Sequence, residues 1–121
     1  DGLGRDAMHV AGPGCSAHLR TRDLPIPRQL PRVAEHLGMS TVDLALAGGE
    51  DFELVLAVAP RHVDAVRALA HRHGERLSVV GHIARGRGLF VDDRHLPAGA
   101  SPGFDHFNLT SHPQMPDNQR R

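Results

Sequence analysis

The sequence contains no lysine, no tryptophan and no tyrosine, and only one cysteine, in 121 residues. Without lysine the chain offers neither an amine for Schiff-base chemistry nor the phosphate-binding lysine of a P-loop. Cys15 by itself can form no internal disulfide and no pair of zinc ligands, which indicates a reducing compartment. We therefore expect a cytoplasmic protein whose chemistry depends neither on lysine nor on paired cysteines.

Long apolar runs and an excess of one charge are also missing. No apolar run approaches the roughly 20 residues that span a bilayer, and the opening DGLGRD does not resemble a signal peptide. The basic and acidic residues number 14 each, so no surplus of cations is available to bind a nucleic-acid backbone. We expect neither membranes nor nucleic acid as partners. Because the chain begins with Asp1 rather than Met, we interpret it as a piece of a longer protein.

The residues that are present predict one globular domain in which helices cover a sheet. The hydrophobic fraction of 40% and the charged fraction of 23% are ordinary for such a domain. The continuously apolar segment ELVLAV at 53–58 predicts a central strand, and CSAHLR at 15–20 predicts an edge or half-buried one. A disordered tail is predicted over 108–121, which leaves 1–107 as the domain. Helical spacing predicts helices over 3–11, 28–37, the residues after Ser40, and 61–73, and extended patterns predict strands over 77–83 and 89–91.

The most informative motif is AGGEDFEL at 47–54. Its two glycines allow unusual backbone angles or a close approach to a ligand, and two carboxylates follow directly before a predicted strand. Such a loop can present Glu50 or Asp51 to a metal or a substrate, but not both, because successive side chains of an extended chain point in opposite directions. A solvated turn is an equally good interpretation of these residues alone.

Three other groups of residues also have two interpretations. Asp1 and Asp6 flank the first predicted helix, where a carboxylate can complement the helix dipole or hold Mg²⁺, and spacing alone favours the former. The ten histidines show no HxxxH or HExxH spacing, which favours solvated side chains over metal ligands. In GFDHF at 103–107, Phe104 and Phe107 either enter the core or close over a ligand, and the residues alone favour the core.

Taken in order, the segments DGL, LPIP, LAGGEDFEL, VVGHI and GFDHF resemble the C-terminal half of the thiamine-monophosphate kinase family. The resemblance runs from Asp1 to Phe107, and the pairing of GGEDFEL with GFDHF is more specific than either motif alone. It implies an α+β fold in which helices cover a mixed β-sheet, as in the C-terminal domain of aminoimidazole ribonucleotide synthetase-like proteins. It also implies that an N-terminal domain, which supplies the ATP site and most Mg²⁺ ligands, is missing from this chain.

The function implied by the resemblance is ATP-dependent phosphorylation of thiamine monophosphate to thiamine diphosphate. Mg²⁺ assists this transfer, and no protein nucleophile is needed. By resemblance, Asp1 is a Mg²⁺ ligand, Glu50 contacts the thiamine substrate and Phe104 stacks near its ring; no catalytic residue is assigned. Phe52 and Phe104 stand where the family often has Tyr, a change that keeps the ring and removes the hydroxyl. The complete enzyme is expected to be a homodimer, and this fragment alone to be inactive.

Two other functions compete with the kinase at this stage. The first is a binding module that kept the fold and thiamine phosphate binding without chemistry. The second is a sister enzyme of the same superfamily with another substrate, which the paired motifs GGEDFEL and GFDHF disfavour.

Overall fold

The computed structural model describes residues 2–48 and 53–96, which contain four strands in one sheet and four α-helices. The helices are α1 (Leu3–Ala11), α2 (Leu30–Leu37), α3 (Thr41–Ala47) and α4 (Val63–Arg72). The strands are β1 (Cys15–Leu19), β2 (Gly81–Arg85), β3 (Gly88–Val91) and β4 (Arg94–Leu96), and short 3-10 turns lie at Thr21–Asp23 and Pro60–His62. The expected α+β fold with a mixed sheet and helices is confirmed.

The sheet is built around β1, in the order β2-β1-β3-β4. β1 pairs antiparallel with β2 and parallel with β3, and β3 pairs antiparallel with β4. The strand predicted over 15–20 is confirmed, and of its two predicted positions, edge or half-buried, only the edge position is wrong, since both sides of β1 are paired. Its alternating small and apolar residues indicated a strand correctly, but local alternation carries no information about how many partners a strand has.

The hydrophobic core lies between one face of the sheet and the helices α1 and α3. Period-two alternation places Ala17 and Leu19 of β1 on this face, at 3% and 5% exposure. Leu89 of β3 pairs with Ala17 and is equally buried. The core cluster consists of Ala7, Ala17, Leu19, Leu24, Leu46 and Leu89.

The opposite face of the sheet carries a row of stacked rings. The His18 ring lies parallel to the rings of His82 and Phe90, with centroids 4.7 and 4.5 Å away, and His95 tilts against Phe90 at 5.1 Å. These residues are direct cross-strand neighbours, because His18 pairs with both His82 and Phe90, and Phe90 pairs with His95. Phe90 therefore lies on the face away from the core.

Helix termini follow from local sequence. The Ser40 hydroxyl accepts a hydrogen bond of 3.0 Å from the backbone N–H of Asp43, which confirms the predicted N-cap of α3. Gly38 ends α2 with a left-handed conformation at φ 66°, as a glycine stop signal predicts. None of the helices within 2–48 and 53–96 is long and apolar enough to cross a membrane.

The predicted central strand at 53–58 is wrong. These residues form no strand, and the side chains of Leu54 and Leu56 are 83% and 53% exposed. The apolar run has the composition of a buried strand, but β1 and β3 hold the two inner positions of the described sheet. The predicted strand at 77–83 is displaced for a related reason, because only the part that pairs with β1, from Gly81 to Arg85, is a strand.

Candidate functional site

The three residues assigned by resemblance, Asp1, Glu50 and Phe104, lie outside the described residues. Phe52 and Phe107 lie outside them as well. The structure does describe the chain on either side of the first two: Gly2 follows Asp1, and Gly48 is two residues before Glu50. These two glycines are the described residues that show where the chain approaches Asp1 and Glu50 in sequence.

Gly2 is buried against the last turn of α3. Its φ is +91°, and a Cβ atom added to it would lie 2.7 Å from the Leu46 carbonyl oxygen and 3.0 Å from that of Ala47. Side chains rarely adopt this backbone conformation, and carbonyl oxygens of a helix cannot move aside cheaply, so only glycine fits. The Gly2 carbonyl in turn accepts a hydrogen bond of 3.0 Å from the Asp6 N–H, which closes the first turn of α1. The start of α1 is thus held against the end of α3.

This contact places the flanks of two candidate residues together. Gly48 donates a hydrogen bond of 2.7 Å to the Leu44 carbonyl, so its position is fixed by the end of α3. The described sequence neighbours of two candidate residues that are 49 positions apart therefore meet at one junction of the fold.

The described residues do not by themselves form a metal site. No group of three His, Cys, Asp or Glu side chains in 2–48 and 53–96 is placed to hold a metal ion. Asp1 would therefore need further oxygen ligands from outside these ranges to hold Mg²⁺, a cation that also keeps several waters and phosphate oxygens in its coordination shell.

A cleft of about 540 Å³ lies beside this junction, and the sequence did not predict it. It opens where the parallel strands β1 and β3 end, a position at which sheets with parallel strands commonly bind ligands. Leu46 belongs both to the cleft and to the contact with Gly2. The lining residues are Thr21, Val42, Asp43, Leu46, Val91, Asp92, Arg94 and Leu96.

Asp92 closes one end of the cleft. Its carboxylate accepts hydrogen bonds from the hydroxyl of Thr21 at 2.6 Å and from the Thr21 backbone N–H at 2.9 Å. The hydroxyl bond is the main cause that lowers the pKa of the Asp92 carboxyl, followed by the backbone bond and by the charges of Arg22 and Arg94. These hydrogen bonds join Asp92 to a residue 71 positions earlier in the chain, a contact that the sequence did not predict.

The sequence of this chain is similar to those of thiamine-monophosphate kinases. A thiamine-monophosphate kinase of Caulobacter vibrioides is 32% identical over 97 residues, which cover 74% of this chain and 26% of the relative. One of Aquifex aeolicus is 27% identical over 108 residues, covering 88% and 32%. The chain matches the C-terminal region of thiamine-monophosphate kinases. No family model matches the chain.

Solved structures of thiamine-monophosphate kinases agree with the sequence comparison. The crystal structure of the enzyme from Stenotrophomonas maltophilia K279a is 34% identical, with a TM-score of 0.68 over 79% of this chain and 30% of that one. A structure of AaThiL complexed with AMPPCP and TMP is 25% identical, with a TM-score of 0.62 over 81% and 29%. The chain therefore spans about a third of the length of the proteins it matches.

Substitution of Gly2 by Ala should loosen the junction. We expect Gly2→Ala to lower the free energy of unfolding by about 1–2 kcal/mol for the positive φ and about 1–3 kcal/mol more for the overlap with α3. Gly12→Ala is a matched control, because Gly12 also has a positive φ, +77°, but nothing within 4 Å of an added Cβ. Urea unfolding followed by circular dichroism measures both, and equal losses would show that the contact with α3 contributes nothing.

Proposed function

We propose that this chain is the C-terminal part of a thiamine-monophosphate kinase, which transfers the γ-phosphoryl group of ATP to the phosphate of thiamine monophosphate. The observation that carries the proposal is the combined sequence and fold similarity to such kinases, at 34% identity and a TM-score of 0.68 in the Stenotrophomonas structure. The related AaThiL structure, which contains AMPPCP and TMP, supports ATP and thiamine monophosphate as the two substrates.

The chemistry of this reaction suits the residues of the chain. An oxygen of the thiamine monophosphate phosphate attacks the γ-phosphorus, the bond to the β,γ-bridging oxygen breaks, and ADP leaves. Two anionic phosphates must approach each other, so positioning and cations dominate the catalysis, and no lysine or cysteine nucleophile is required. Mg²⁺, when bound, neutralises phosphate charge.

The junction of α1 and α3 supports specific roles for two residues. Asp1, next to Gly2, would supply one carboxylate oxygen to Mg²⁺, and Glu50, just past Gly48, would contact the thiamine part of the substrate. The cationic thiazolium ring of thiamine favours a nearby carboxylate by Coulomb attraction. Phe104 would stack against one of the thiamine rings, since the chain has no Trp or Tyr to do so.

The proposal assigns the other parts of the active site to the rest of the complete enzyme. The chain spans about 30% of its relatives, so an N-terminal domain would supply the site for ATP and the other Mg²⁺ ligands. We propose a cytoplasmic homodimer for the complete enzyme, with no membrane or nucleic acid among its partners. A binding module without chemistry is the competing function.

Activity of the complete protein decides between these functions. We expect the full-length protein to convert thiamine monophosphate and ATP to thiamine diphosphate and ADP, and the 121-residue chain alone to give no turnover, because the proposed site for ATP lies in the N-terminal domain. Chromatographic detection of thiamine diphosphate measures both. Binding of thiamine monophosphate by the full-length protein without turnover would establish the binding module, and turnover by the isolated chain would contradict the proposed division of the site.

Glu50 should act on substrate binding rather than on folding. Glu50→Gln in the full-length protein keeps the volume and removes the charge, so we expect KM for thiamine monophosphate to rise about tenfold, with the stability changed by less than about 0.5 kcal/mol. Glu53→Gln makes the same chemical change three residues later, at an exposed position, and serves as the control. Steady-state kinetics measure this effect. An unchanged KM would instead support the interpretation of AGGEDFEL as a solvated turn.

Phe104 should contribute a ring to the substrate site. We expect Phe104→Ala to weaken binding of thiamine monophosphate about tenfold and to change ATP binding little, because the lost stacking amounts to roughly 1.4 kcal/mol. Phe104→Tyr keeps the ring and should bind like the unaltered protein. Calorimetric titration measures both ligands. A loss of about 3 kcal/mol in stability with unchanged binding would instead make Phe104 a core residue.

A further inference from the structure

The two edges of the described sheet differ in how well they are protected from pairing with another strand. β2 and β4 are the end strands in the order β2-β1-β3-β4. β4 has only three residues, of which Arg94 and His95 are exposed. β2 has five residues, contains no proline and carries a charge only at its last position, Arg85. Because short, charged edge strands resist association, β2 is the edge of this sheet that is open to a further strand.

Hydrogen bonds at both ends of β2 show which of its backbone groups bond to β1. The Arg20 N–H donates to the Val80 carbonyl at 2.9 Å, and the Gly86 N–H donates to the Gly14 carbonyl at 3.1 Å. In an antiparallel pair the bonding groups alternate along each strand, so the even-numbered residues of β2 bond to β1. The residues whose N–H and carbonyl groups point to the open edge are Gly81, Ile83 and Arg85.

Ile83, the middle residue of β2, adds an exposed apolar side chain to this edge. It pairs with Ala17 of β1, so both side chains lie on the core face of the sheet. Ala17 is 3% exposed, whereas Ile83 is 41% exposed. A strand added at the edge would cover part of the Ile83 side chain, and removal of apolar surface from water favours such an addition.

We propose that β2 pairs antiparallel with β2 of a second copy of this chain, about a two-fold axis at Ile83. Such an interface uses the same surface of both copies. The axis places Ile83 opposite Ile83, Gly81 opposite Arg85, and His82 opposite Ala84. Each long polar side chain therefore lies opposite a small residue, and the apolar residue meets its own copy. No like charges lie opposite each other, a situation that would destabilise a cross-strand pair.

Other registers of the two strands are less favourable. With the axis at Ile83, all three outward residues of β2 form pairs that share two hydrogen bonds each. An axis at His82 or at Ala84 keeps the outward groups in phase, but it leaves only two such pairs within β2. It also separates the two Ile83 side chains. The register centred on Ile83 therefore has the most hydrogen bonds and the best apolar contact.

The association is expected to be weak and reversible. One short strand from each copy forms an interface at the small end of the range for proteins, where transient complexes are found. We therefore expect an equilibrium between monomer and dimer that depends on protein concentration. The proposal concerns an edge remote in sequence from Asp1, Glu50 and Phe104, and it does not depend on kinase activity.

Sedimentation velocity of the 121-residue chain, from about 10 µM to about 1 mM, tests the pairing without any ligand. We expect the unaltered chain to shift from monomer to dimer mass. Ile83→Asp and Ile83→Arg should each lower the association constant about tenfold, because the axis brings like charges together. An equimolar mixture of the two variants should dimerise again, because opposite charges then meet across the axis. Leu37→Asp alters an exposed apolar residue of α2 and should leave the association unchanged.

Amide hydrogen exchange identifies the edge that is used. The Ile83 N–H, which points outward, should exchange more slowly as the protein concentration rises. The His82 N–H, which faces β1, should be protected equally at all concentrations. Ile83→Pro removes the outward N–H and leaves the bonds to β1 in place, so it should weaken the dimer with an unchanged circular dichroism spectrum, even if the charged variants unfold.

Three results would overturn the proposal. The first is a monomer at every concentration. The second is a mixture of Ile83→Asp and Ile83→Arg that associates no better than either variant alone, since residue 83 would then not lie on the axis. The third is slow exchange of the Ile83 N–H at the lowest concentration, because another segment of the same chain would then cover the edge.

Discussion

The pairing of β1 on both of its sides is the constraint on which the described fold depends. Its alternation buries Ala17 and Leu19 beneath α1 and α3, and it places Ser16 and His18 on the other face. Ser16 is buried at 2% exposure, and its hydroxyl is satisfied by His18 Nε2 at 3.0 Å and the Ala84 carbonyl at 3.5 Å. A buried hydroxyl without partners would cost about 1–3 kcal/mol, so these bonds allow a polar residue within the central strand.

The parallel pairing of β1 with β3 also decides where chemistry can occur. Their C-terminal ends lie side by side, and the Thr21–Asp92 hydrogen bonds tie together the segments that leave them. α3 lies across the same end, so the cleft and the contact with Gly2 share Leu46. The flanks of Asp1 and Glu50 meet beside the cleft because one short helix contacts both.

The similarity to thiamine-monophosphate kinases suggests phosphoryl transfer as the reaction that the junction of α1 and α3 and the cleft beside it would serve. Phosphoryl transfer between two anions needs cations and positioning from several directions, and a third of such a protein supplies only one of them. Under the proposed function, Asp1 and Glu50 would serve a cationic, phosphorylated substrate next to this junction. Under the proposed function, the ATP site and the remaining metal ligands would come from the rest of the complete enzyme.

Local sequence determined the helices and their ends, because apolar spacing, the Ser40 cap and the Gly38 stop act within one or two turns. It also predicted the similarity to thiamine-monophosphate kinases, since GGEDFEL and GFDHF occur together in order. Only the tertiary structure decided that β1 is an inner strand, that 53–58 forms no strand, and that Gly2 packs on α3. The physical reason is that strand pairing and close backbone approach join residues far apart in the chain, and composition at one position does not reveal its distant partner.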